Sequence, residues 1–159
     1  MLSLLNQIEQ SGLATWIHES GSLWGYPLIL FLHTLGFGTL VGINAAIDLR
    51  LLGFGLKEEP VSYVGKTAQP WLIGGLTAAV LTGVPLLASL AAGKYYVNGA
   101  FWMKMYFFLA AVIFTFTIRR AVVAGDDVRA NSRIGKVVGL VSVLLWSGVG
   151  IMGRGIGFY

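Results

Sequence analysis

The sequence has no cysteine, which removes a disulfide framework, a thiolate metal site and a CxxCH haem attachment together. Charge is scarce. Only 11% of the 159 residues are Asp, Glu, Lys or Arg, against about 25% in an ordinary soluble domain. So sparse a set cannot cover the surface of a soluble fold of this size. Histidine occurs twice, at His18 and His33. No phosphate-binding loop, HExxH pair or Ser-His-Asp set is present, so hydrolase and nucleotide-hydrolysing chemistry has no support and no catalytic residue is identified. The N-terminus lacks a basic n-region, so a cleavable signal peptide is not expected.

What the chain has is long apolar runs. Hydrophobic residues make up 56% of it, and their grouping predicts an all-α, integral membrane four-helix bundle formed by a single transmembrane domain over residues 1–159. The spans are expected at about 24–47, 70–92, 100–118 and 137–158. Before them, residues 1–19 carry Leu5, Ile8, Leu13, Trp16 and Ile17 on roughly one helical face. That pattern predicts an amphipathic helix in the membrane interface. Trp24 and Tyr26 sit where interfacial anchors belong, and Pro27 suits a first helical turn. Asp48 and Arg50 read as the polar end of the first span, and residues 53–69 as a polar loop.

The basic residues cluster at span ends, so the net charge of +4 reads as a topology signal and not as nucleic-acid binding. Arg50, Lys57, Lys66, Arg119, Arg120, Arg129, Arg133 and Lys136 fall on one side, and Lys94, Lys104 and Arg154 on the other. This split predicts both termini on the outer side of the membrane.

His33 lies nine residues after Trp24, ~13 Å below the outer surface at 1.5 Å per residue. Lys104 and Arg154 fall in the same outer half, while most carboxylates belong to the inner side. Only Glu9 and Glu19 are placed to meet those two cations. Charges within a span are costly unless paired or hydrated. An imidazole with two cations at similar depth therefore points to an anionic ligand, and heme b fits. His33 would be the metal ligand, and Lys104 and Arg154 would meet the propionates. Gly36, one turn from His33, would leave room for the macrocycle. Each feature has a plainer reading. A lone histidine often bonds a neighbouring helix, and Lys104 and Arg154 lie near enough to an interface to snorkel. Gly38-x-x-x-Gly42, Gly135-x-x-x-Gly139 and Gly153-x-x-x-Gly157 are spacings typical of helix contacts.

A resemblance adds to this. The pattern Ser22-x-x-x-Tyr26-Pro27, His33-x-x-Gly36, Gly42, Asp48-Leu49-Arg50-Leu51-Leu52-Gly53, Thr82-Gly83 and Phe101-Trp102-x-Lys104-Met105 resembles a family of small bacterial inner-membrane proteins of unknown function. It spans Ser22 to about Ile118 and implies a fold but no activity. More distantly, His33-x-x-Gly36, Gly42 and Lys104 are similar to membrane-bound bacterial protoporphyrinogen oxidase and the integral domain of the copper-resistance D family. That likeness implies that His33 and Lys104 serve b-haem. The oxidase's Trp-Phe pair is replaced near Leu40-Val41, and its further histidine by Arg119-Arg120. The likeness thus implies haem binding more than porphyrinogen oxidation.

The leading expectation is a b-haem protein in the lipid bilayer, passing electrons to a quinone or another membrane redox partner. Copper or other metal-ion handling by His33 with Met103, Met105 or Met152 is a second expectation. A cofactor-free structural subunit, or a homo-oligomer packed through glycine faces, is a third.

Overall fold

The computed structural model describes residue 7 and residues 10–19, 23–89 and 98–156. Helix α1 is Gly12–Glu19, α2 Tyr26–Leu52, α3 Val61–Ser89 and α4 Gly99–Phe114. A π-helical segment, Thr115–Arg119, joins α4 to α5 at Arg120–Val123. Helices α6, Asp127–Ala130, and α7, Arg133–Gly155, complete the order. The described residues contain no strand. Four helical stretches are long and apolar enough to cross a bilayer: Tyr26–Leu52, Val61–Ser89, Gly99–Val123 and Arg133–Gly155. Their outward faces carry large apolar side chains such as Phe31, Leu81, Val84, Leu109, Leu144 and Ile151. Water would reject such a surface and lipid accepts it, since backbone groups within helices are already satisfied. The chain is a multi-pass membrane protein.

The helices run further than hydropathy alone suggested. Residues 61–69, expected in a polar loop, begin α3, and the helix continues through Pro70 and Pro85. Its exposed N-terminal amides are met from outside. Asp127 Oδ1 accepts from the Ser62 amide at 3.2 Å. Helix α2 likewise passes Asp48 and Arg50 and stops at Gly53. There φ is +89°, and the Gly53 and Phe54 amides bond back to Arg50 and Leu49. This is a Schellman closure, which needs a left-handed residue and so favours glycine.

The long helices contact one another in the order α3, α2, α7, α4. Helices α3 and α4 follow each other in sequence yet scarcely touch. The tight α2–α3 contact is made by small residues. A Cβ on Gly36 would lie 2.8 Å from Ala78 Cβ, and one on Gly75 would lie 2.9 Å from the Leu40 amide nitrogen. Likewise a Cβ on Gly139 would come within 3.0 Å of the Asp48 carbonyl, so α7 rides closely on α2. Helix α1 docks on α3, burying Ala14 and Ile17 and leaving Trp16 outward. Its amphipathic pattern is thus spent partly on the bundle. Residues 1–6 and the side chain of His18 lie outside the described residues.

Candidate functional site

His33 projects from α2 toward α3. Its Nδ1 lies 3.1 Å from Thr82 Oγ1, and the Thr82 hydroxyl donates to the Ala78 carbonyl at 2.5 Å. A hydroxyl has one hydrogen. With that hydrogen committed to Ala78, Thr82 accepts from His33, so Nδ1 carries the ring proton and Nε2 holds the lone pair. Gly83 makes this placement possible, because a Cβ there would stand 3.1 Å from His33 Cε1. The ring is half-buried.

Lys104 enters from α4. Its ammonium lies 6.0 Å from the centre of the Phe37 ring, one turn beyond His33 on α2. Its aliphatic stem runs beside Gly153 of α7, where a Cβ would sit 3.5 Å from Cε. Among the described residues no carboxylate pairs with Lys104. Four helices therefore bring His33, Phe37, Thr82, Lys104 and Gly153 to one end of the bundle. Arg154 lies on the last turn of α7 with its side chain exposed. Gly36 does not serve as expected. Ala78 and Ala79 fill the space over it, so it brings α2 and α3 together and leaves no gap for a macrocycle. The side chain of Glu19, and Glu9 altogether, fall outside the described residues. Among the described residues no three His, Cys, Asp or Glu side chains gather as a metal site.

A second polar cluster, at the other end, escaped the sequence reading. Asp48 is 1% exposed and Arg119 2%. Asp48 Oδ1 meets Arg119 Nη1 at 2.9 Å, and Oδ2 accepts from Ser142 Oγ at 2.6 Å. Arg119 Nη1 also approaches the Asn44 carbonyl at 3.4 Å. The π-helical segment ends at Arg119, and the Arg120 amide bonds to the Thr115 carbonyl five residues back. Thr115 Oγ1 accepts from Trp146 Nε1 at 3.1 Å, tying this segment to α7. Arg50 is buried as well, donating through Nε and Nη2 to the Glu59 carbonyl and through Nη1 to Asn131. Arg119 and Arg50 count among the topology charges in the sequence. The structure adds that both are internal ties. The Asp-Leu-Arg-Leu-Leu-Gly run is accordingly structural: an inward carboxylate, a loop clamp and a glycine stop.

A family of unknown function, DUF6644, matches residues 21–159. The chain belongs to the DUF6644 family. That match covers all four spans and both polar clusters and omits α1, so the common core of DUF6644 begins just ahead of the His33 helix. No curated protein and no solved structure matches the chain.

Proposed function

We propose that the protein binds a b-type haem through His33 and exchanges electrons with a membrane-borne partner such as a quinone. The observation that supports this most is the His33–Thr82 bond. Ligating histidines as a rule donate their second ring N–H to a fixed acceptor, which sets the tautomer and aims the lone pair. His33 has that arrangement inside a membrane-spanning helix, where an idle polar group is expensive.

The neighbouring residues fit the same group. Lys104 is a cation without a carboxylate partner among the described residues, suited to a propionate. Arg154 on α7 supplies a further cation from the same end. Helices α3 and α4 scarcely touch, and a flat apolar ring would lie between them beside Phe37. Haem iron, when bound, supplies one-electron chemistry. The chain's part is to hold the imidazole, balance the propionate charge and keep water away with apolar helix faces. The setting of this reading is a bacterial inner membrane with both termini periplasmic, supported by the eight-to-three division of basic residues. The haem would then sit toward the outer leaflet.

Haem titration of the detergent-purified protein tests the reading. The wild type should develop a saturable Soret band. Thr82→Val, which keeps shape but removes the acceptor, should weaken haem affinity by about 10–100-fold, the usual cost of losing such a partner. His33→Ala should abolish the band. Equal titration curves for all three proteins would rule the assignment out.

A further inference from the structure

On the side away from His33, a cavity of about 40 Å³ lies among α2, α3, the π segment and α5. Ile47 of α2, Leu72 of α3, Phe116 of the π segment and Val123 of α5 form its apolar wall. Its polar lining is Gln69, Arg119 and Arg120, together with Thr115. Arg119 uses only Nη1 in its bonds to Asp48 and Asn44. Its Nε and Nη2 have no hydrogen-bond partner, yet neither is sealed from solvent, since Asn44 Oδ1 alone among the described side chains is both sealed and unpartnered. Arg119, 98% removed from the surface, thus lines this cavity and, among the described residues, bonds through Nη1 alone.

The charge balance there is uneven. Asp48 neutralises one guanidinium, and no described carboxylate pairs with Arg120. The polar lining is rich in donors, has no free carboxylate and carries one surplus positive charge. That combination selects an anion with several acceptor oxygens. A quinone head, neutral and with two acceptors, would leave the surplus charge unanswered. The volume suits a group the size of about two or three waters, the scale of a phosphoryl group.

Depth says which anion can arrive. Arg119 lies four residues from the end of the Gly99–Val123 span, ~6 Å along the axis. That span is 25 residues long, ~38 Å, and overhangs a hydrocarbon core of ~30 Å by ~4 Å at each end. The guanidinium is therefore close to the boundary between headgroups and acyl chains. Helices α3 and α4, which scarcely touch, carry exposed apolar side chains such as Leu81, Val84 and Leu109 along the same spans. We propose that this cavity binds the phosphate of an anionic phospholipid, with Arg119, Arg120 and Gln69 as donors and an acyl chain lying along the exposed apolar side chains of α3 and α4. The proposal is independent of haem at the other end.

Native mass spectrometry of the full chain, released from nanodiscs of equal phosphatidylglycerol and phosphatidylcholine, tests it. The wild type should retain phosphatidylglycerol in several-fold excess. Gln69→Leu with Arg120→Gln leaves the Asp48–Arg119 pair intact and should reduce that excess about tenfold. Arg119→Lys, which keeps the charge but removes the spare N–H groups, should reduce it too. Tryptophan fluorescence melting confirms that each variant is folded. Retention should persist in millimolar inorganic phosphate. Equal retention of both lipids, or retention unchanged in the folded double variant, overturns the proposal. Displacement of the lipid by inorganic phosphate overturns the lipid source, and displacement by a short-chain quinone overturns the phosphate assignment.

Discussion

Replacing Arg119 by Leu should destabilise the bundle more than any other single change in the Asp48 cluster. The variant strands the Asp48 carboxylate, 1% exposed, with one remaining donor, Ser142 Oγ at 2.6 Å. Removing one partner of a buried ion pair typically costs about 3–5 kcal/mol, because the other charge stays buried and uncompensated. Asp48→Leu is the informative contrast. It leaves Arg119 unpaired, but that guanidinium still has the Asn44 carbonyl and an opening to the cavity. Its cost should therefore fall toward the lower end of about 3–5 kcal/mol or below it. The double variant, Asp48→Leu with Arg119→Leu, should recover much of the loss, since an apolar pair of similar volume replaces a costly desolvated one. The assay is reversible unfolding of the four proteins in mixed micelles, followed by tryptophan fluorescence. Trp146 sits in the same cluster and reports on it. Strict additivity of the two single changes, or singles within about 0.5 kcal/mol of wild type, the range of an ordinary surface substitution, would refute the buried pair as the tie between α2 and the π segment.

Other expectations follow from individual contacts. Gly36→Ala, whose methyl would meet Ala78 Cβ at 2.8 Å, should cost about 1–3 kcal/mol by overpacking. Gly38→Ala meets nothing within 4 Å and should be neutral or gain up to about 1 kcal/mol from helix propensity; the same unfolding assay separates the two. Gly53→Ala should cost about 1–2 kcal/mol, since φ of +89° is left-handed, and should loosen the loop that Arg50 clamps, read as faster proteolysis there. Trp146→Phe removes a buried donor to Thr115 and should cost about 1 kcal/mol, measured by thermal melting.

The fold was legible in the sequence because membrane spans declare themselves by run length and composition, which do not depend on partners. Helix limits were less legible. Residues 61–69 are polar enough to read as loop, yet they are helical because Asp127 caps Ser62 from 65 positions away. The same limit applies to charge. Arg119 and Arg50 look like cytoplasmic markers in a linear reading, since sequence shows where a charge lies along a helix but not which way it faces. A π-helical turn and the glycine at 139 bring Asp48, Arg119 and Ser142 together, and neither effect has a simple sequence sign. One signal was present: Asp48 is the sole acidic residue within any apolar run, and an acid at that depth calls for a partner. His33 and Lys104, singled out in the sequence by depth and by resemblance, stand at the same end of the bundle. Thr82 was visible in the Thr82-Gly83 pair, but its role depends on the crossing of α2 and α3. Gly36 was misassigned for the matching reason, as periodicity does not reveal which neighbour fills the space over a glycine.

The account turns on whether His33 carries iron. The most direct measurement is the absorption spectrum of the protein as purified from haem-replete cells, with haem quantified as its pyridine complex against protein. The account predicts a Soret band with stoichiometric b-haem in the wild type and its loss in His33→Ala. A folded wild-type protein without a Soret band, or one whose band survives in His33→Ala, would contradict it.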